Sequence, residues 1–496
     1  MNNIRLIIND DYPLDSNTLD ILKSMSQVEG IVKPIVALPD VHFKFSYYTP
    51  TGVVVLSKNT IIPKFVNANC GMSFIITPFF ENDISEVILD KLFDYLRTNI
   101  AITTRISPLI SVNDLSDIVK NGAEWVFDKH SLNRQDLLNF ENNGSALKND
   151  KRPMAKIMSF IPEYCKKIGL YSLGVLGYGN HFIELQKIDK VTNKPLADKF
   201  GISPGQLCFM IHSDSRAFGQ SIYDFYSKKA KKLLGLQQVY KKIHYAIASS
   251  ENSPEFIRNT LNLTNQALNR LKSTLYWKLD RINKKSSKFD AIGIETEEAD
   301  AYITSTACAI NFGYANRTYL ASIIRDGFRK VFNKNAVDLT ILYDGNHDSL
   351  QKETIDGNEF IVHRNGASRA LSPQYFPNHP VFSYTGQPVL LPSALGRMSF
   401  LCAATKGCPE SYYSACHGTG RLIDRGQARQ IFKTQDVFNE VKKQNMKIYD
   451  YGKGYISEES PAAFKDAEKI LETVINYNIA DPVARLKPLA ALKGWR

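Results

Sequence analysis

At 496 residues the chain is long enough for one large domain or two to three ordinary ones. Its 44% hydrophobic and 22% charged composition provides for an ample core and excludes an intrinsically disordered chain. The formal charge of +11 points to a polyanionic partner, because clustered Lys and Arg attract phosphate, although a solvated basic surface has the same composition.

The opening MNNIRLIIND has no positive-then-apolar secretory pattern, and no apolar run approaches the ~18 residues that span a bilayer. Seven cysteines, scattered and odd in number, argue for a reducing compartment and against a disulfide framework. These features predict a soluble, cytoplasmic protein with no membrane partner. Near the start, GIVKPIVALPD and TGVVVLSKNTIIPKFV read as strands, with LPDVHFKF as the loop between them. Asp83 and Glu86 fit a capping box for a helix whose apolar stripe is Ile84, Val87, Ile88, Leu92, Tyr95 and Leu96. Residues 130–155 are polar and read as a surface excursion.

LGVLGYGNHFIELQ reads as strand, glycine-rich turn and strand, and QLCFMIH as a strand ending at His212. Residues 221–288 are helical and basic, with KKAKKLL, YKKIHY and WKLDRINKK; a solvated helical hairpin is the preferred reading over an RNA-binding arm. A mixed strand and loop half follows, then an amphipathic helix over 462–477 and the tail ARLKPLAALKGWR. No repeat or linker divides the chain. The expected fold class is therefore α+β, one domain over 1–496 with mixed sheets flanked by helices and a basic helical insertion at 221–288.

The chemistry gathers on histidines. Of nine, His181 sits in GYGNHF, His212 ends an apolar strand, His347 lies in YDGNHD and His417 in CHGTGR; Cys70 adds a thiol in NANCGM. A strand end fixes the Cα of a ligand, and adjacent glycine leaves room for an ion. A lone histidine is more often a hydrogen-bonded structural residue. Three histidines and a cysteine in comparable loops instead suit a transition metal, with magnesium disfavoured by the soft donors. In CHGTGR the glycines allow close approach to phosphate, and Arg421 and Arg425 offer guanidinium forks. His417 there could equally be a metal ligand, a general acid or base, or a covalent nucleophile.

The ordered segments LPDVHFKF, NANCGM, LGYGNHFIELQ, MIHSDSRAFG, AINFGYANR, YDGNHD, VHRNGASRA, GQPVLLPSALGRMSF, SACHGTGRLIDRG and LKPLAALKG resemble the motif series of RtcB RNA ligases, from about residue 35 to Gly494. The resemblance implies GTP- and Mn²⁺-dependent joining of an RNA 3′-phosphate, or 2′,3′-cyclic phosphate, to a 5′-hydroxyl through GMP carried on His417. It implies one or two manganese ions. Cys70 would bridge them, with His212 and His347 completing one site and His181 with Asn67 the other. Asn180, Glu184, Ser399 and Lys493 match nucleotide-contacting positions. Arg216, Arg421 and Arg425 are candidates for RNA-end phosphates, and an archease-type activator is among the suggested partners.

Several positions depart from that pattern. Asn67 replaces the aspartate of an Asp-x-x-Cys pattern, so the second metal loses a charged ligand. Asp214 stands where glycine is usual, Gln220 where histidine is, and Asn365 where lysine is. Ala394 and Phe464 replace serine and tyrosine hydroxyls near the nucleotide, and Phe43 and Lys44 alter the loop after His42. These departures suit a specialised RNA repair or tRNA-splicing ligase. They also suit a weakened RNA-binding or regulatory paralogue, or a metal-dependent RNA-end phosphatase or cyclic phosphodiesterase.

Overall fold

The computed structural model describes residues 3–43, 49–65, 69–248, 289–450 and 456–494. Apolar runs rich in β-branched and aromatic residues build its central sheet. The strand Gly71–Phe80 is buried through its first seven residues and pairs antiparallel with Gln206–Ser213 and with Thr340–Asn346. Beyond Gln206–Ser213 the sheet continues through Phe182–Val191, Asp481–Lys493, Ser399–Ala403 and Pro388–Leu391. Lys447–Asp450 joins Asp481–Lys493 in parallel, so the sheet is mixed.

Alternation along these strands feeds two cores. Phe209 and Ile211 pack with Leu92, Phe93, Tyr314 and Phe328 on the helical face, while Cys208 and Met210 pack with Leu390, Leu401 and Leu486 on the other. A second sheet runs in the order Ile4–Leu6, Ile31–His42, Thr51–Ser57, Asn358–Asn365, Asp348–Ile355. The short antiparallel pair Ala367–Arg369 and Ser414–Cys416 carries the chain from that sheet toward His417. The architecture is α+β, with mixed sheets flanked by helices.

The helix Glu297–Phe332 is buried around most of its circumference, as expected of a helix with small and apolar residues on all sides. Its polar residues are spent on the backbone of the site. Asn316 accepts from Gly174 N–H at 2.8 Å and donates to Val175 O and Asp214 O, tying together the segments before His181 and after His212. Among the described residues, no helix is long and apolar enough to cross a membrane.

Several expectations need correction. LPDVH is not a loop: the strand Ile31–His42 runs through it, which buries Asp40. The helix expected after Asp83 begins at Glu86, capped by Ser85, whose hydroxyl accepts from Ile88 N–H. Asp83 closes a separate 3-10 turn, and Val87 of the expected stripe is exposed. The polar stretch 130–155 is not simply a surface excursion. Asp136 accepts from Ile341 N–H at 2.8 Å and Glu141 from Asn346 N–H at 2.9 Å. Those carboxylates satisfy donors along Thr340–Asn346, the last strand of that sheet among the described residues.

The expected first strand of LGVLGYGNHFIELQ shrinks to one bridge between Ala101 and Val175. The final helix spans Ala467–Asn476, and the tail after it forms the 13-residue strand Asp481–Lys493 inside the central sheet. In the basic stretch, a helix runs Arg216–Ala248, and 249–288 lie outside the described residues.

Candidate active site and metal centre

Sheet register decides which side chains meet. Gly71 lies opposite both Ser213 and Asn346, while Phe182 lies opposite both His212 and Lys493. Cys70, His181, His212 and His347 therefore reach the same end of adjacent strands. Cys70 Sγ is 3.0 Å from His212 Nε2 and 3.3 Å from His181 Nε2, and His212 Nε2 is 3.2 Å from His347 Nε2. The cluster of Cys70, His181 and His212 is buried, and its donor atoms all lie within 4.8 Å of one another.

Burial, reinforced by nearby positive charge, holds His181, His212 and His347 well below the ordinary histidine range, so all three are neutral at pH 7. Burial, with Asp214 and Asp348 nearby, pushes the Cys70 thiol up. Imidazole lone pairs and a sulfur converging in a dry site satisfy one another poorly, whereas a cation satisfies them together and favours the thiolate. The thiol and imidazoles of Cys70, His181 and His212 could thus hold a borderline-soft divalent ion, with His347 packed against His212.

His181 is different. The Arg216 guanidinium, which can only donate, lies 2.9 Å from His181 Nδ1. That contact places the ring hydrogen on Nε2, facing Cys70, so His181 is in the non-ligating tautomer while Arg216 stays there.

His417 is carried beside this cluster by backbone pairing. His347 N–H donates to Cys70 O and Ala367 N–H to His347 O, each at 2.9 Å, and Ala367 pairs with Cys416. The His417 and His347 rings lie 4.7 Å apart. His417 Nδ1 is 2.6 Å from Asp40 Oδ2 and 3.0 Å from Gly366 O. Two acceptors at Nδ1 put the hydrogen there and leave Nε2 with the free lone pair. Two glycines make the arrangement possible. A Cβ on Gly366 (φ +63°) would come 3.0 Å from the His417 ring, and one on Gly420 (φ +78°) would strike Asp40 O.

These groups line a cleft of about 1260 Å³. Asn180, Glu184, Arg216, Arg421, Arg425, Phe464 and Lys493 also reach it; Ala394 and Ser399 do not. Ser399 stands behind the wall, its hydroxyl accepting from Ser393 N–H at 3.1 Å. Asn67 lies outside the described residues. Burial pushes the Glu184 carboxyl up to about 7, against the pull of Gln186 and Lys493. Lys493 Nζ lies 3.3 Å from Glu459, whose carboxylate stays below its usual range because Lys493, Arg425 and Arg421 outweigh its burial. Arg421 stacks 4.4 Å from the Phe464 ring centroid and donates to Ile423 O, so it helps build the wall. Arg425 is the more accessible of the two, 3.8 Å from Glu458 and from Glu459.

Sequence reasoning missed four residues that shape the site: Asp40, Asp348, Glu459 and Arg317. Asp40, Arg317 and Asp348 lay within quoted motifs, LPDVH, AINFGYANR and YDGNHD, and could have been found there; Glu459 carried no such signal. Arg317, fully buried, pairs with Asp344 at 2.5 Å and donates to Ser213 O, bracing the strand ends that carry His212 and His347.

Together the fold and the site define a large α+β protein with a buried thiol–imidazole cluster under a cleft walled by arginine, lysine and carboxylates. A family profile described as tRNA-splicing ligase RtcB matches residues 21–494, and the chain belongs to the RtcB family. It is 27% identical to a tRNA-splicing ligase RtcB of Methanococcus maripaludis, over 97% of this chain and 92% of that protein. It is 26% identical to a tRNA-splicing ligase RtcB of Pyrococcus abyssi, over 98% of this chain but 48% of that protein.

Proposed function

We propose that the chain is a GTP-dependent RNA ligase that joins a 3′-phosphate end to a 5′-hydroxyl end in RNA repair or tRNA splicing. The observation that carries this reading is His417, held at Nδ1 by Asp40 and Gly366 O, with its Nε2 lone pair free. An imidazole so fixed is a nucleophile, and Asp40 stabilises the positive charge it gains on attack. Nε2 attacks the α-phosphorus of GTP; a P–N bond forms and pyrophosphate leaves. The RNA 3′-phosphate then takes GMP from His417, breaking that P–N bond. Finally the 5′-hydroxyl attacks the activated 3′-phosphorus, gives up its proton and displaces GMP. A 2′,3′-cyclic phosphate is first hydrolysed to the 3′-phosphate.

Cys70, His212 and His347 would hold a manganese ion, which when bound neutralises phosphate charge beside the nucleophile. Glu184 and Lys493, at the ends of paired strands, would read the guanine, and Asn180 would approach its phosphate. Arg216 and Arg425 would meet the RNA ends. None of the seven cysteines forms a disulfide, which suits the reducing cytoplasm. A weakened or regulatory paralogue is the second reading, favoured by Asn365. Its amide is spent on Thr49 Oγ1 (2.9 Å) and Pro50 O (3.0 Å), where the family pattern has a lysine charge.

Labelled GTP with Mn²⁺ should give an acid-labile adduct that migrates with the protein and is lost in His417→Ala. No adduct with any divalent metal would sink the nucleotidyl-transfer claim. A 3′-phosphate/5′-hydroxyl RNA pair then separates joining from end hydrolysis.

A further inference from the structure

The strand that carries Asp40 departs from its partner just where the aspartate sits. Between the register pairs Ala37–Val53 and His42–Thr51, the four residues from Leu38 to Val41 face the single residue Gly52. Such a bulge takes backbone groups out of the ladder, and buried carbonyls then need other donors. Lys465 supplies two such bonds: its Nζ donates to Pro39 O at 3.0 Å and to Val41 O at 2.8 Å, one on each side of Asp40. Its backbone N–H donates to Gly420 O at 3.1 Å, in the loop that follows His417. Lys465 is itself well anchored. Asp466 beside it caps the helix Ala467–Asn476, and Ile470 of that helix packs with Val36 and Leu38. Lys465 is buried, and its ammonium attracts the Asp40 carboxylate.

We propose that Lys465 is a positioning residue for His417: it pins the bulge on both sides of Asp40, delivering Asp40 Oδ2 to His417 Nδ1, and ties that bulge to the loop after His417. The inference rests on the reading of His417 as the nucleophile. A carboxylate on so short a stem moves with its Cα, so the 2.6 Å contact with Nδ1 lasts only while the backbone at Pro39 and Val41 is held. Lysine suits this role. Three donors on one atom allow it to bond two carbonyls at once, and its charge offsets that of the buried carboxylate. An apolar side chain there would leave both carbonyls and the carboxylate without that partner. Lys465 also reaches the cleft, so direct contact with nucleotide phosphate is the competing role.

The test uses the full-length protein, with single-turnover formation of the GMP adduct in Mn²⁺ and GTP, and ¹⁵N-histidine NMR without nucleotide. Lys465→Met should slow adduct formation by about 10- to 100-fold, with half-saturating GTP changed by less than about threefold. Lys465→Arg, which keeps the charge and the donors, should regain most of the rate. Added to Asp40→Asn, Lys465→Met should cost less than about threefold more, because both act through one contact. The Nδ1–H signal of His417, assigned by its loss in His417→Ala, should move or broaden in Lys465→Met. Lys465→Gln, which keeps a single donating group, stands in with an intermediate loss if Lys465→Met does not fold. An unchanged rate, a fully additive loss beside Asp40→Asn, or a rise in half-saturating GTP with the His417 signal unmoved would each overturn the proposal. If wild type forms no adduct, the nucleophile reading falls, while the His417 signal still decides whether Lys465 positions the ring.

Discussion

Asp40 and His417 are 377 residues apart, yet Asp40 Oδ2 sits 2.6 Å from His417 Nδ1. The strand Ile31–His42 brings one and the short strand Ser414–Cys416 the other. Asp40 is fully buried, so water does not compete for this contact with the imidazole.

Asp40→Asn keeps the size of the side chain but lets an amide present N–H to Nδ1, favouring the wrong tautomer. Single-turnover formation of the GMP adduct should fall by about 10²- to 10⁴-fold, with little change in GTP affinity. A loss under about threefold would show that Asp40 does not orient the nucleophile.

Chelation should lower the thermal midpoint, because an ion bound only by the folded state stabilises it by about 2.7 kcal/mol at a hundredfold excess over Kd. Adding back Mn²⁺ or Co²⁺ should restore wild type. Cys70→Ser and His347→Ala should each blunt that response, and Co²⁺ should lose its thiolate charge-transfer band only in Cys70→Ser.

Arg317→Met should destabilise the protein by about 3–5 kcal/mol in denaturant titration, because it leaves buried Asp344 without its partner. The double change Arg317→Met with Asp344→Leu should recover much of that loss. If instead the double variant keeps stability but loses metal affinity, the pair serves the site by holding the strand ends in register.

Glu184 gives a pH signature. Burial favours its protonated form in the folded state, so the stability it contributes is complete below the ordinary 4.5 and is lost as pH rises through about 7. Glu184→Gln should flatten the thermal midpoint over that window. GTP affinity should move oppositely in wild type, rising with pH as the carboxylate forms and can accept from the guanine N–H groups.

The strands around QLCFMIH and TGVVVLS were legible because continuous apolar runs report burial locally. LPDVH was misread as a loop because Pro and Asp are turn formers, but a proline at a strand position lacking a partner and an aspartate bound to His417 are both tolerated inside the sheet. The 130–155 stretch looked like solvated chain because composition cannot tell a carboxylate in water from one capping a strand edge.

The residue types and chain order of Cys70, His181, His212, His347 and His417 were determined by the sequence alone, since donor chemistry belongs to the side chain wherever it sits. The tertiary structure alone decided that Asp40 holds Nδ1 of His417 and that Arg216 holds His181 in its non-ligating tautomer. Those facts depend on sheet register between segments far apart in the chain. A shift of one residue would send each side chain to the opposite face, and nothing in a local stretch of sequence records which register is adopted.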